Sequence, residues 1–158
     1  MITHRPLDYV CPFCSVAAGR FEPNVYTHPD DVILHGDAIT AFISSHWWPN
    51  NPGHVLVIPK VHYENVYDIP DELLHQVQSA GKRIAVAMKA VYRCDGTSFR
   101  QHNEPAGNQD VWHYHLHVFP RYTGDDLYLL TPQRRLTHPE ERRPYAARLR
   151  EYFARSMM

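Results

Sequence analysis

Apolar and polar side chains alternate over 112–119, where Trp112, Tyr114, Leu116 and Val118 are separated by His113, His115 and His117. Successive side chains of a β-strand point to opposite faces, so this stretch predicts a strand with an apolar face and a row of imidazoles. Pro120 has no N–H to give to a ladder and predicts the end of that strand. Further strands are predicted over 32–34, 38–43, 54–58 and 97–102. The run His54-Val-Leu-Val-Ile58 is apolar enough for the centre of a sheet, and Pro59 closes it. Leu73, Val77, Ala80, Ile84, Met88 and Val91 recur at three- and four-residue steps, which predicts a long helix over 70–93 with one buried face. Asp68 is its expected cap, with Pro70 in the first turn. A short helix is expected over 13–18, ended by Gly19. A final helix should reach Phe153, with Thr137 and Glu140 as a capping box and an apolar stripe of Tyr145, Leu149, Tyr152 and Phe153. The segments 22–31, 44–53, 103–110 and 125–138 read as loops or irregular chain.

A chain of 158 residues fits one domain over 1–158, with a core over about 10–121 and a C-terminal extension over 122–158. Hydrophobic content of 44% and charged content of 21% place it among ordinary globular proteins. A net charge of −1 argues against a dedicated nucleic-acid or membrane-surface binder. No apolar run is long enough to span a membrane, and the first residues lack a signal-peptide core, so a cytoplasmic location is expected. Three cysteines do not suggest a disulfide framework. Seven arginines (Arg134, Arg135, Arg142, Arg143, Arg148, Arg150 and Arg155) make the tail basic; they read as a solvated helix face, with an anionic partner as the alternative.

The histidine row admits three readings: solvated polar residues on an edge strand, metal ligation by His-x-His, and phosphate chemistry with a histidine nucleophile. Neighbouring imidazoles on a strand sit roughly 6–7 Å apart. They titrate near pH 6.5, so neutral and protonated rings can coexist at neutral pH. Three identical titratable residues in register, spaced by bulky apolar ones, favour the chemical readings. Cys11-Pro-Phe-Cys14 fits a redox pair, two buried thiols or metal thiolates; with no βαβ pattern around it the thioredoxin-like reading is poor.

Taken together these residues resemble the histidine-triad (HIT) superfamily of nucleotide hydrolases and transferases. The signature alternates histidine with apolar residues, here His113-Tyr-His-Leu-His-Val-Phe119. Cys11-Pro-Phe-Cys14, Asn51-Pro-Gly-His-Val-Leu-Val-Ile-Pro-Lys60 with His62, the long helix, and Asn103-Glu-Pro-Ala-Gly-Asn-Gln109 follow in the expected order. The resemblance spans about 10–121. It implies an α+β fold with a five-stranded antiparallel sheet, one long central helix, and pairing as a homodimer.

The resemblance also implies roles. His115 is the expected nucleophile toward the α-phosphorus of a nucleotide, through a covalent nucleotidyl-histidine. His117 would contact the phosphate, and His113 would support the nucleophile or bind metal. An imidazole that attacks must have its other nitrogen held by a fixed acceptor, for which a backbone carbonyl is expected. Asn103 and Gln109 match the amides near phosphate and leaving group, Gly107 allows close backbone approach, and Ile43 is placed among the nucleotide contacts. A structural zinc is expected on Cys11, Cys14, His54 and His113, with His62 the rival to His54, and no organic cofactor is implied. Two positions depart from the pattern. Ser44 and Ser45 stand where an acidic ribose ligand is usual, and Asp110 stands where Ser or Thr is usual. Trp47 and Trp48 could stack on a base, with buried packing or a dimer contact the favoured alternatives. Two other functions stay open: a metal-dependent hydrolase with the histidine row as ligands, and a nucleotide-binding module with little turnover.

Overall fold

The structure, a computed structural model, describes residues 2–22 and 25–156. Short α1 (Pro12–Ala17) is followed by strands β1 (Val32–His35), β2 (Ile39–Ile43), β3 (His46–Trp47) and β4 (Val55–Pro59). Long helix α2 (Asp71–Val91), strands β5 (Gly96–Gln101), β6 (Leu116–Arg121) and β7 (Arg135–Leu136), and helix α3 (Pro139–Ser156) complete the chain. Five strands form one sheet in the order β1-β2-β4-β6-β5, every pairing antiparallel. The α+β architecture with a central long helix is as expected. Strand β4 is buried at every position, as its apolar sequence predicts for a central strand.

Period-two alternation sorts the sheet into two faces. Ala41, Ile43, Val55, Val57, Leu116 and Val118 pack with Val77, Ile84 and Met88 of α2 and with Ala146, Leu149 and Phe153 of α3. Phe42, Leu56 and Ile58 point to the opposite face and pack under α1 with Phe13 and Val16. Helix α2 begins after Pro70 with no side-chain cap, so Asp68 does not cap it; Asp71 and Glu72 supply negative charge to its first turn instead.

The tail departs most from expectation. Residues 135–136 form β7, pairing with β3, a strand inside the stretch read as a loop. The reciprocal cap of α3 sits one residue on from Thr137 and Glu140: the Glu141 carboxylate accepts from the His138 N–H at 2.9 Å, and Thr137 donates its hydroxyl to the Ser45 carbonyl at 2.8 Å. The basic face is not simply solvated. Arg142 is fully buried and forks onto Asp31 at 2.9 and 2.8 Å, and Arg150 donates to the carbonyls of Asp30 and Val32. Gly53, with φ of +79°, lets the site loop pass against α3; a Cβ there would collide with the Tyr145 ring.

Candidate active site and thiol–imidazole cluster

Only part of the histidine row lies in a ladder. Strand β6 begins at Leu116 and runs through Pro120, which falls where β4 no longer pairs with it. Upstream, Tyr114 is tethered by its N–H to the Tyr63 carbonyl at 2.6 Å. The alternation persists: Tyr114, Leu116 and Val118 enter the α2-side core, while the rings of His115 and His117 lie on the other side with centroids 4.9 Å apart. They are closer than ideal strand spacing, and the two ring planes meet at 64°, edge toward face.

His115 Nδ1 lies 2.7 Å from the carbonyl oxygen of His113. A carbonyl only accepts, so Nδ1 carries the proton and Nε2 keeps its lone pair, with no hydrogen-bond partner among the described residues. Burial pushes the His115 pKa below the ordinary histidine value, partly opposed by that carbonyl. His117 and His54 are driven well below it, in each case first by burial. All three rings are therefore neutral at pH 7. His54 Nε2 and His117 Nδ1 approach to 3.3 Å, and both rings stack against Phe119.

His115 and His117 open into a cavity of about 280 Å³ whose apolar walls include Phe13, Tyr26, Phe42, Trp48 and Leu56. Ser44 and Ser45 line it also. A second cavity, about 580 Å³, adjoins the first: His117, Trp48, Asp110 and Arg134 border both, and Arg100 and His102 border only the second. Asp110 is paired with Arg134 at 2.9 Å, which answers the charge of the carboxylate that departs from the family pattern.

Several expected contacts fall elsewhere. The side chain of Ile43 is fully buried among the α2-side core residues, because strand alternation turns it away while Phe42 meets the cavity. Asn103 borders neither cavity; its amide is engaged with the Gln101 amide (2.8 and 2.9 Å) and the Val66 N–H (2.8 Å). Gln109 borders the second cavity, yet its oxygen accepts from the Glu104 N–H at 2.8 Å and its nitrogen donates to the carbonyls of Glu64 and Val111. Both amides therefore brace loops here. Gly107 borders neither cavity, and its carbonyl lies 2.6 Å from His102 Nδ1. Trp47 and Trp48 are both buried; Trp48 meets His54 and Phe119 edge-on and donates to the Thr131 hydroxyl.

His113 turns to the thiols of α1. Its Nδ1 is 3.3 Å from Cys11 Sγ and 3.6 Å from Cys14 Sγ, and His62 Nδ1 is 3.2 Å from Cys14 Sγ. The four candidate ligand atoms of Cys11, Cys14, His62 and His113 lie within 4.8 Å of one another. The expected ligand His54 is not among them: it is enclosed by Trp48, Phe119 and His117. His62, beyond the end of β4, takes that place. A proton shared with Cys14, together with His113 and His62, holds the Cys11 thiol well below the usual thiol range, while the same sharing pushes Cys14 up. Such a thiolate–imidazole set suits a closed tetrahedral zinc. The Nε2 of His113, 2.9 Å from the Pro59 carbonyl, donates to it, which leaves Nδ1 unprotonated toward the thiols.

Arg100, His102, Arg134 and Tyr26 were not foreseen as cavity residues. Arg100 sits directly across from His117 in the β5–β6 pairing, a relation visible only once the register is known.

The HIT domain family matches residues 26–124. Protein hit of Bacillus subtilis is 36% identical over 116 residues, covering 73% of this chain and 74% of that protein. The adenosine 5'-monophosphoramidase HNT1 of Saccharomyces cerevisiae is 32% identical over 115 residues, covering 73% of this chain and 65% of that protein. A solved Zn-bound histidine triad family protein from Mycobacterium smegmatis superposes with a TM-score of 0.76 at 28% identity, over 93% of this chain and 95% of that one. With the alternating histidines, the five-stranded sheet and the matched span in agreement, the chain belongs to the HIT family.

Proposed function

We propose that this protein is a nucleotidyl hydrolase or transferase that attacks the α-phosphate of nucleotide substrates through a covalent intermediate on His115. One observation carries the reading: a neutral His115, its Nδ1 proton fixed on a main-chain carbonyl, lines an apolar cavity beside His117. An imidazole with a defined lone pair is a good nucleophile, and the N–P adduct is labile, so one difficult displacement becomes two easier ones. His117 is suited to meet the phosphoryl oxygens where charge develops. The walls of Phe42, Leu56 and Trp48 suit a nucleoside, and Ser44 and Ser45, their hydroxyls engaged with His46, line the same cavity. The name of the yeast relative, a phosphoramidase, supports nucleotides as the substrate class.

Cys11, Cys14, His62 and His113 would hold a structural zinc, in keeping with the Zn-bound relative. Bound there it cross-links α1 to the segment before β6, with no position open for water. The donor set argues against a catalytic metal on the histidine row, since His113 faces the thiols while His115 and His117 face the cavity. A homodimer with the sheet continuous across its interface and a cytoplasmic location belong to the same reading. Among the described residues no helix is long and apolar enough to cross a membrane.

The test is intact-protein mass spectrometry after acid-free quenching with nucleoside phosphoramidates and dinucleoside polyphosphates. Wild type should gain the mass of a nucleoside monophosphate residue. His115→Ala should gain none, with turnover down about a thousandfold or more. Wild-type turnover in His115→Ala refutes the nucleophile.

A further inference from the structure

The second cavity holds a cation that nothing around it answers. Arg100 projects from β5 opposite His117, and its guanidinium carbon lies 5.8, 5.7 and 5.5 Å from the ring centres of Trp48, Phe119 and Tyr128. Three aromatic neighbours surround the guanidinium and limit its freedom before any ligand arrives. Its Nη1 is buried with no hydrogen-bond partner among the described residues. Nearby arginines are paired: Arg134 with Asp110 at 2.9 Å and Arg121 with Asp125 at 2.7 Å. Arg100 and Arg134 line the second cavity against one carboxylate, Asp110, so a net positive charge remains there, beside His117. A buried donor left without a partner in a native fold calls for an explanation, and a ligand oxygen supplies one.

The two cavities differ in kind. His115 borders the apolar one only, and His117 stands between them. A nucleotide with its base and sugar in the apolar cavity and its α-phosphate at the histidines would send the rest of the molecule toward Arg100. The chemistry of departure then discriminates. A departing amine must be protonated on nitrogen while the P–N bond still holds, so positive charge sits at the leaving atom before it departs as the neutral amine, and Arg100 opposes that protonation. A departing condensed phosphate takes the bond's electron pair as an anion, which Arg100 favours.

We propose that Arg100 is the specificity-determining residue of a leaving-group site for condensed phosphates, so that the protein prefers substrates that release a polyphosphate-bearing group over those that release an amine. This rests on the nucleotidyl-transfer reading above. In the first step His115 Nε2 bonds to the α-phosphorus, the P–O bond to the bridging oxygen breaks, and its electron pair leaves on the condensed phosphate. In the second step water oxygen bonds to phosphorus and the N–P bond breaks. Its electron pair returns to Nε2, and the nucleoside monophosphate leaves with release of a proton.

The experiment compares kcat/KM for a dinucleoside triphosphate and a nucleoside 5'-phosphoramidate of a simple alkylamine in wild type, Arg100→Met and Arg100→Lys. Calorimetry with inorganic tripolyphosphate is run on the same proteins. The ratio of triphosphate to phosphoramidate kcat/KM should fall about tenfold or more in Arg100→Met and recover in part in Arg100→Lys. Tripolyphosphate affinity should follow the same order. A ratio that holds within about twofold overturns the assignment, because a merely structural role lowers both substrates together. Tripolyphosphate binding indifferent to residue 100 overturns it too. If Arg100→Met does not fold, Arg100→Gln makes the same comparison. A His115 adduct with an unmoved ratio defeats this site alone. Tripolyphosphate binding that depends on Arg100, without any adduct, supports the site and defeats the transfer reading alone.

Discussion

Three buried neutral imidazoles at one spot give the protein a pH signature. Burial dominates the lowered pKa of both His54 and His117; Arg100 and His115 depress His54 further, and His115, His54, His102 and Arg100 depress His117 further. In the unfolded chain the same rings titrate near pH 6.5, so below that value the unfolded state binds protons that the folded state refuses. Stability from these two residues is complete above about pH 6.5 and is lost as pH falls toward their folded-state values. Urea midpoints should fall between pH 7.5 and pH 5 (about neutral to mildly acid), and the fall should be shallower in His54→Gln. A midpoint that stays level over that window would mean the rings take protons in place. The amides show how a residue's identity can be legible while its contacts are not. Asn103 and Gln109 stand at the positions the motif marks, but their hydrogen bonds go to Gln101, Val66, Glu64 and Glu104. Gln101 and Glu104 are close in sequence, but Glu64 and Val66 come from a distant loop that no local pattern reveals.

At the level of elements, periodicity was enough wherever an element buries one face. The spacing from Leu73 to Val91 located α2, and the continuous apolar run to Ile58 located the central strand β4. It was not enough for β3 and β7. Each is two residues long and held by pairing with a segment about 90 positions away, with no alternation to read. Nor was it enough for His62 against His54: both are near the ends of β4, and only the path of the chain past Pro59 decides which reaches the thiols. Helix α3 is the element whose energetics most exceed its sequence pattern. Its buried Arg142 meets Asp31 through two hydrogen bonds and reaches the carbonyls of Tyr26 and Thr137. Removing one partner strands the other without water, so Arg142→Met should lower unfolding free energy by about 3–5 kcal/mol. Asp31→Leu combined with Arg142→Met should regain part of that loss. Equilibrium urea denaturation measures both.

Across the whole molecule, the site is assembled from both ends of the chain. Helix α1 brings the thiols and Phe13, β2 and β4 bring Phe42 and Leu56, and the tail brings Arg134. A metal on Cys11, Cys14, His62 and His113 would therefore bind the first element to the segment that leads into β6. Protein purified without added zinc should hold about one metal per chain. Stripping it with a chelator should lower the melting temperature by about 2–4 °C for each kcal/mol of stabilisation lost. Metal content below about a tenth of an equivalent, with an unchanged melting curve, removes the zinc assignment. The hydrogen bond from His115 to the carbonyl of His113 carries a last consequence. Its acceptor belongs to the main chain, so replacing the His113 side chain leaves that acceptor in place. The setting of the His115 ring thus depends on the course of the main chain rather than on a partner side chain. An amide-to-ester replacement that weakens this one acceptor, or a shift in the path of the chain, is what it takes to disturb it.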